Sequence, residues 1–188
     1  MAARNIALIV GGQSRNAVSG RVAEALRALQ PATLRLEKVA IGALPFYNQD
    51  LETANPPEEW TRFRDAVRAA DGVLFVTPEY NRGVPGAVKN AVDVGSRPWG
   101  KAVWDGKPLG IVSTSPGPLG GYSANHQLRQ NLSYFAMPML LQPEMYLTFA
   151  DRLVKDGQPA DDATRELFNR YLAAFAAWVE RHSQRAAA

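Results

Sequence analysis

Val73-Leu-Phe-Val76, just after Asp71-Gly72, and Ile6-Ala-Leu-Ile-Val10, just after Asn5, are short stretches that are apolar without interruption. A strand buried on both faces reads this way, because neither face can carry polar groups. Thr77-Pro78 should end the strand at 73–76, since proline has no N–H for the ladder. Leu34, Leu36 and Val39 follow a strand's alternation. Pro108 to Ser113 reads as a fourth strand and Met139-Leu-Leu141 as a short fifth. Between these runs the apolar spacing changes to three and four, the mark of a helix face. Such faces are Val22, Ala25, Leu26 and Leu29, then Trp60, Phe63, Val67 and Ala70, then Leu128, Leu132 and Phe135. The last is Leu167, Tyr171, Leu172, Phe175 and Trp178, with Asp161 or Asp162 as its cap. One more helix is expected from Gly86 to about Val94, opened by Pro85,.

Strands that alternate with helices, with no repeat and no linker, predict a parallel sheet covered on both faces by right-handed crossovers. The expected fold is a single α/β domain over residues 1–188, a three-layer sandwich with strand order 2-1-3-4-5. In such sheets ligands bind beyond the carboxyl ends of the strands, at a topological switch point. Three loops fall there: 11–19, 78–83 and 113–122.

Each loop carries distinct chemistry. Gly11-Gly-Gln-Ser-Arg-Asn-Ala-Val-Ser-Gly20 begins glycine-rich and turns hydroxyl-rich before a helix. That composition suits a phosphate cradle of backbone N–H groups, hydroxyls and a helix N-terminus. It lacks the Gly-Lys-Ser/Thr ending of a P-loop and the GxGxxG dinucleotide pattern. A plain turn with serine as N-cap reads equally well from these residues alone. The second loop, Pro78-Glu-Tyr-Asn-Arg-Gly83, is polar and aromatic. The third, Ser113-Thr-Ser-Pro-Gly-Pro-Leu-Gly-Gly-Tyr122, is again rich in glycine and hydroxyls. Trp99 and Trp104 lie on the loop 98–107, read as a surface turn covering the sheet edge. Lys89 and Asp93 stand at i,i+4 and read as a helix ion pair. His126 reads as a helix-surface residue and His182 as structural.

Composition narrows the possibilities. The 188 residues carry a net charge of +3, with the cations scattered, which disfavours nucleic acid as a partner,. There is no cysteine, so disulfides, thiolate catalysis and cysteine metal sites are excluded, and any redox work belongs to a cofactor,. No apolar run nears the roughly 20 residues of a membrane span. The N-terminus lacks a signal peptide's apolar region, so a cytoplasmic location is expected. The tail, 186–188, is expected to fray.

The residues Pro78-Glu-Tyr-Asn81, Val84-Pro-Gly86, Lys89-Asn-Ala91, Asp93 and Ser96-Arg97 resemble the signature of the NADPH-dependent FMN reductases, flavodoxin-like proteins that include bacterial chromate, quinone and azo-dye reductases. Gly120-Gly121, Leu128-Arg-Gln130 and Gln142-Pro-Glu144 match the same family in order. The similarity spans about Ile6 to Arg181. The phosphate loop departs from the family's usual form: Ser14 stands where arginine is usual, with Arg15 one place later, and Ala17 and Ser19 replace a serine and an asparagine. The resemblance implies an FMN-dependent oxidoreductase that uses NADPH or NADH to reduce quinones, azo compounds, free flavin or metal oxyanions such as chromate. It implies that Gly12, Gln13, Ser14, Arg15 and Ser19 surround the FMN phosphate. Pro78, Glu79, Tyr80 and Asn81 would pass the ring edge through backbone amides, with the Glu79 carboxylate secondary. Ser115, Gly117, Gly120 and Gly121 would lie at the pyrimidine end. Arg82 would meet the NADPH phosphates or an anionic acceptor. No acid–base triad is required, and a homodimer or homotetramer is implied. A non-enzymatic flavodoxin-type carrier is the alternative, which the mildly basic balance disfavours. A phospho-receiver would need acidic residues where Gly11-Gly12 stand.

Overall fold

The computed structural model describes residues 3–186, with side chains through residue 183. Of the tail expected to fray, only Ala186 is among them, and it ends the last helix. Five strands form a parallel sheet in the order β2-β1-β3-β4-β5. They are β1 (Arg4–Val10), β2 (Leu34–Val39), β3 (Gly72–Pro78), β4 (Leu109–Thr114) and β5 (Met145–Leu147). Six helices accompany them: α1 (Val18–Ala28), α2 (Glu58–Ala69), α3 (Gly86–Gly95), α4 (Tyr122–Leu132), the short α5 (Ala150–Leu153) and α6 (Asp162–Ala186).

The apolar runs sort by residue parity onto two cores. Ile6, Leu8, Leu74, Val76 and Val112 pack against α1 and against Phe168, Tyr171, Phe175 and Val179 of α6. Ala7, Ile9, Val73, Phe75 and Ile111 face the other way, onto α2, α3 and α4. This two-sided burial is why β1, β3 and β4 carry no polar alternation. β2, at the edge, keeps one buried row, Leu34 and Leu36.

Four expectations need correction. The fifth strand is Met145–Leu147, which pairs with Val112–Thr114. Met139 makes only an isolated bridge to Leu109, and Leu141 is exposed. Pro138 and Pro143 bracket that run and supply no donors, and Leu109 is the first residue of β4, so a ladder there has nothing to continue along. β3 does not stop before Thr77 but pairs through Pro78, opposite Thr114. Trp104 is no surface residue: it is fully buried, lies 5.9 Å from Phe63 and 6.0 Å from Phe75, and its Nε1–H donates to the Val92 carbonyl at 3.0 Å. Gly95 admits the ring, since a Cβ there would stand 2.5 Å from it. Only Trp99 is exposed, with the Arg97 guanidinium 5.3 Å from its ring. On α6, Phe168 and Val179 are buried, whereas Leu167 and Trp178 are only partly so.

Asp161 caps α6: its Oδ1 accepts from the Thr164 N–H at 2.7 Å, which lowers the carboxyl's pKa,. The turn Asp156-Gly157, with φ of 49° and 71°, closes a small hairpin of β6 (Val154–Lys155) and β7 (Gln158–Pro159),. A further anchor joins the connection after β2 to α2. Arg64, only 4% exposed, donates to both carboxylate oxygens of Glu52 at 3.0 and 2.7 Å and to the Val94 carbonyl at 2.9 Å.

Candidate cofactor site at the carboxyl edge of the sheet

The three loops leave β1, β3 and β4, which are neighbours in the sheet, so the topology gathers them at one edge. The first two touch: a Cβ at Gly11 would stand 2.8 Å from Thr77 Oγ1 and 2.9 Å from Pro78 Cδ. The second and third share a cleft of about 330 Å3, with Glu79, Asn81 and Arg82 on one side and Ser115, Gly117 and Leu119 on the other. A larger cleft of about 980 Å3 runs past Gly12–Arg15, along α1 and toward Gly42. A third cleft of about 500 Å3, between α2 and the β1–β2 edge, contains none of the three loops.

In the first loop the side chains divide. Ser14 and Arg15 are exposed. Ser19 is fully buried, and its Oγ accepts from the Gly12 N–H at 3.2 Å, so it braces the loop from behind. Gln13 donates to the Val10 carbonyl at 2.8 Å, folding its side chain back onto β1. No serine caps α1: the N-cap is Ala17, without a side-chain bond, and the first turn holds no acid. The positive end of α1 is therefore left open beside Arg15. A Cβ at Gly12 would come within 2.5 Å of Ser19 Oγ, so the cradle is built around a missing side chain.

The second loop is a two-residue hairpin turn. Tyr80 and Gly83 exchange both backbone bonds, at 3.0 and 2.9 Å. Asn81 and Arg82 carry the positive φ values, 49° and 64°. The turn is thus made at Asn81-Arg82 and not through freedom at Gly83, and the Tyr80 amide is spent within it. The Glu79 carboxylate has a definite partner, accepting from the Ala124 N–H at 3.1 Å. This satisfies an N–H of the first turn of α4, a structural task for the side chain. The Arg82 side chain is 69% exposed, 3.7 Å from Glu79. Gln127 of α4 clasps the far end of the turn, its Oε1 accepting from the Val84 N–H at 2.6 Å.

In the third loop, Ser115 Oγ accepts from the Gly117 N–H at 3.0 Å. Gly120 and Gly121 have φ of 59° and 74° and are buried against β4 and β5. They shape the loop from beneath, while Ser115 and Gly117 line the cleft. The hydroxyl of Thr114, at the root of this loop, is buried with no protein partner.

His126 is exposed, as expected for a helix-surface residue. Its Nε2 lies 3.0 Å from the Tyr146 hydroxyl, which donates to Glu144 at 2.7 Å. Burial and that bond push the Tyr146 phenol up to about 12, so it stays protonated at neutral pH. Lys89 and Asp93 form the expected ion pair at 2.7 Å. His182 packs its ring on Trp178, 4.2 Å away.

These features fit an FMN-like group: an uncapped helix end with an adjacent arginine suits one phosphate, a narrow cleft between two loops suits a flat ring, and an orphaned buried hydroxyl lies at the root of one of them.

Comparison with known proteins agrees. The family model for NADPH-dependent FMN reductase matches residues 4–152. A quinone reductase of Pseudomonas putida is 49% identical over 176 residues, covering 94% of this chain and 95% of that protein. A 2-hydroxy-1,4-benzoquinone reductase of Burkholderia sp is 40% identical over 178 residues, covering 94% and 97%. Among solved structures, the flavoenzyme NAD(P)H:(acceptor) oxidoreductase FerB from Paracoccus denitrificans superposes with a TM-score of 0.90 at 35% identity, over 96% of this chain and 99% of that one.

Proposed function

The chain belongs to the NADPH-dependent FMN reductase family, and on that premise we propose that it is an FMN-dependent NAD(P)H oxidoreductase whose acceptor is a quinone. The observation that carries this is the convergence of three loops at the carboxyl ends of β1, β3 and β4, with an open helix end at one side and a cleft at the other. FMN, when bound here, would supply the hydride-transfer chemistry between nicotinamide and acceptor. The protein binds, orients and excludes. Arg15, Ser14 and the amides of the first loop hold the phosphate, with Ser19 and Gln13 keeping that loop in shape. Pro78, Asn81 and the turn at Tyr80 flank the ring. Ser115 and Gly117 line the cleft, and the Gly120-Gly121 pair offers amide donors where negative charge develops,. Azo compounds, free flavin and chromate are further acceptors for the same open cleft.

The first test is direct. The protein should take up FMN, show flavin absorbance and oxidise NADPH or NADH in the presence of a benzoquinone; a protein that takes up no FMN overturns the reading. Arg15→Ala should weaken FMN affinity roughly ten- to hundred-fold, since a charge-assisted phosphate contact is worth about 1.5–3 kcal/mol. A fluorescence titration measures this, and unchanged affinity would leave Ser14 and the amides as the phosphate's ligands. Arg82→Ala should raise the Michaelis constant for NADPH and leave FMN affinity alone. Its exposed side chain has only the long contact to Glu79 to lose, and a surface pair of that kind is worth about 0–1 kcal/mol,.

We place the chain in the cytoplasm, as a single domain and as a homodimer or homotetramer. No helix among the described residues is long and apolar enough to cross a membrane. The assembly is supported by the face beside α3, where Trp99 and Tyr134 are 74% and 70% exposed around a shallow cleft bounded by Lys89 and Arg97. Light scattering that returns the mass of one chain at micromolar concentration would overturn it.

A further inference from the structure

We propose that Arg129 and Asn125 of α4, with Ser113 of β4, form a positioning chain that sets the orientation of the Gly120–Gly121 peptide and so tunes the cofactor. The inference rests on the FMN reading above and assigns its control to residues that do not line the cleft.

The chain is directional. Arg129 Nε–H donates to Asn125 Oδ1 at 2.8 Å. A guanidinium only donates, so the Asn125 amide cannot flip, and its NH2 is turned toward β4. There Asn125 Nδ2 donates to Ser113 Oγ at 3.2 Å. Having accepted that bond, the Ser113 hydroxyl gives its own proton to the Gly120 carbonyl at 2.8 Å. Ser113 and Asn125 are both fully buried, so water does not substitute for either,. The guanidinium is held by its Nη1 on the Leu140 carbonyl at 3.4 Å.

The end of this chain is a peptide with a choice. Both flanking residues are glycines, which carry no Cβ to bar the backbone angles of a flipped peptide,. The bond from Ser113 selects between the two orientations. It draws the Gly120 carbonyl down toward β4, and because the peptide is planar and trans, the Gly121 N–H points the opposite way, out of the β4–α4 packing. A flipped peptide would exchange a donor for an acceptor on that side. A donor favours the cofactor form with more negative charge, an acceptor opposes it. Arg129, three bonds away, therefore acts as a positioning residue and not as a catalytic one.

The test uses the full-length protein, wild type and as Ser113→Ala, Arg129→Met and Arg129→Lys. Three quantities are read for each: the melting temperature without cofactor, the FMN dissociation constant, and the two-electron midpoint potential of the bound FMN. Ser113→Ala and Arg129→Met should lose about tenfold more affinity for the reduced than for the oxidised cofactor, which lowers the potential by about 30 mV. Arg129→Lys keeps a cationic donor and should recover most of that shift. A merely structural chain would lower the melting temperature and leave the potential unchanged, and that result overturns the proposal. If Arg129→Met does not fold, Ser113→Ala, which removes a single oxygen, decides. Wild-type protein that binds no FMN would instead overturn the FMN reading itself, a failure visible before any variant is made.

Discussion

Gly120→Val should lose most of its FMN and melt well below the parent protein. The residue holds φ at 59°, where a side-chain-bearing residue costs about 1–2 kcal/mol,. A Cβ there would stand 2.7 Å from the Tyr146 carbonyl carbon and 2.9 Å from its oxygen, both backbone atoms of β5 that have no rotamer to change. Forcing extra atoms into such packing costs about 1–3 kcal/mol more. The combined penalty is about 2–5 kcal/mol, and it falls on the loop that meets the cofactor. Calorimetry without FMN and a fluorescence titration with it separate the two consequences. Gly117→Ala, in the same loop, is the control: its Cβ would meet only Ser115 Oγ, at 3.5 Å, and should be tolerated. Equal damage from both variants would mean that flexibility of the whole loop, and not the close approach to β5, is what matters.

Trp104→Ala should destabilise the protein by about 3–5 kcal/mol, the range for removing a large aromatic ring from a core. For a chain of this length that lowers the melting temperature by roughly 6–20 °C. The ring fills the space between Phe63 of α2, Phe75 of β3 and the small surface of Gly95 on α3, and its N–H satisfies the Val92 carbonyl. Trp99→Ala, only five positions earlier, should change the monomer's stability by no more than about 0.5 kcal/mol. Thermal denaturation of the two variants side by side gives the comparison. Similar losses would mean that Trp99 is buried in solution, as an interface between copies would make it.

The contrast between these tryptophans shows what the sequence conceals. Trp104 sits in a loop with no helical or strand period, so nothing in its neighbours announces a core position; a gap at Gly95 decides it. The central strands were readable because burial on both faces leaves an unbroken apolar run. β5 was not, because a three-residue edge strand shows too little pattern, and Met139-Leu-Leu141 looked the better strand. The first and third loops were legible from glycine and hydroxyl content, the second from its polar and aromatic residues. Which of their atoms remain available was not. Ser19 and the Tyr80 amide are engaged by partners inside their own loops and Gln13 by the end of β1, while the Glu79 carboxylate reaches α4, 45 residues along the chain. Nothing in the sequence places Ser113 beneath Asn125 and Arg129.

The two cores also differ in when they can exist during synthesis. The core under α2, α3 and α4 draws on residues from Ala7 to Met137. The core on the other side needs Phe168 to Val179 of α6, packed on Ile6 and Leu8 of the first strand. Arg4 and Glu180, bonded at 3.1 Å across that layer, stand 176 residues apart. At about 5–20 residues per second, the ribosome needs roughly ten to thirty seconds to travel between them. Between the synthesis of Met137 and that of α6, the nascent sheet can be covered on one side while the other still lacks Phe168 to Val179. Apolar surface left bare in this way is aggregation-prone, and a pause in translation before α6 prolongs its exposure.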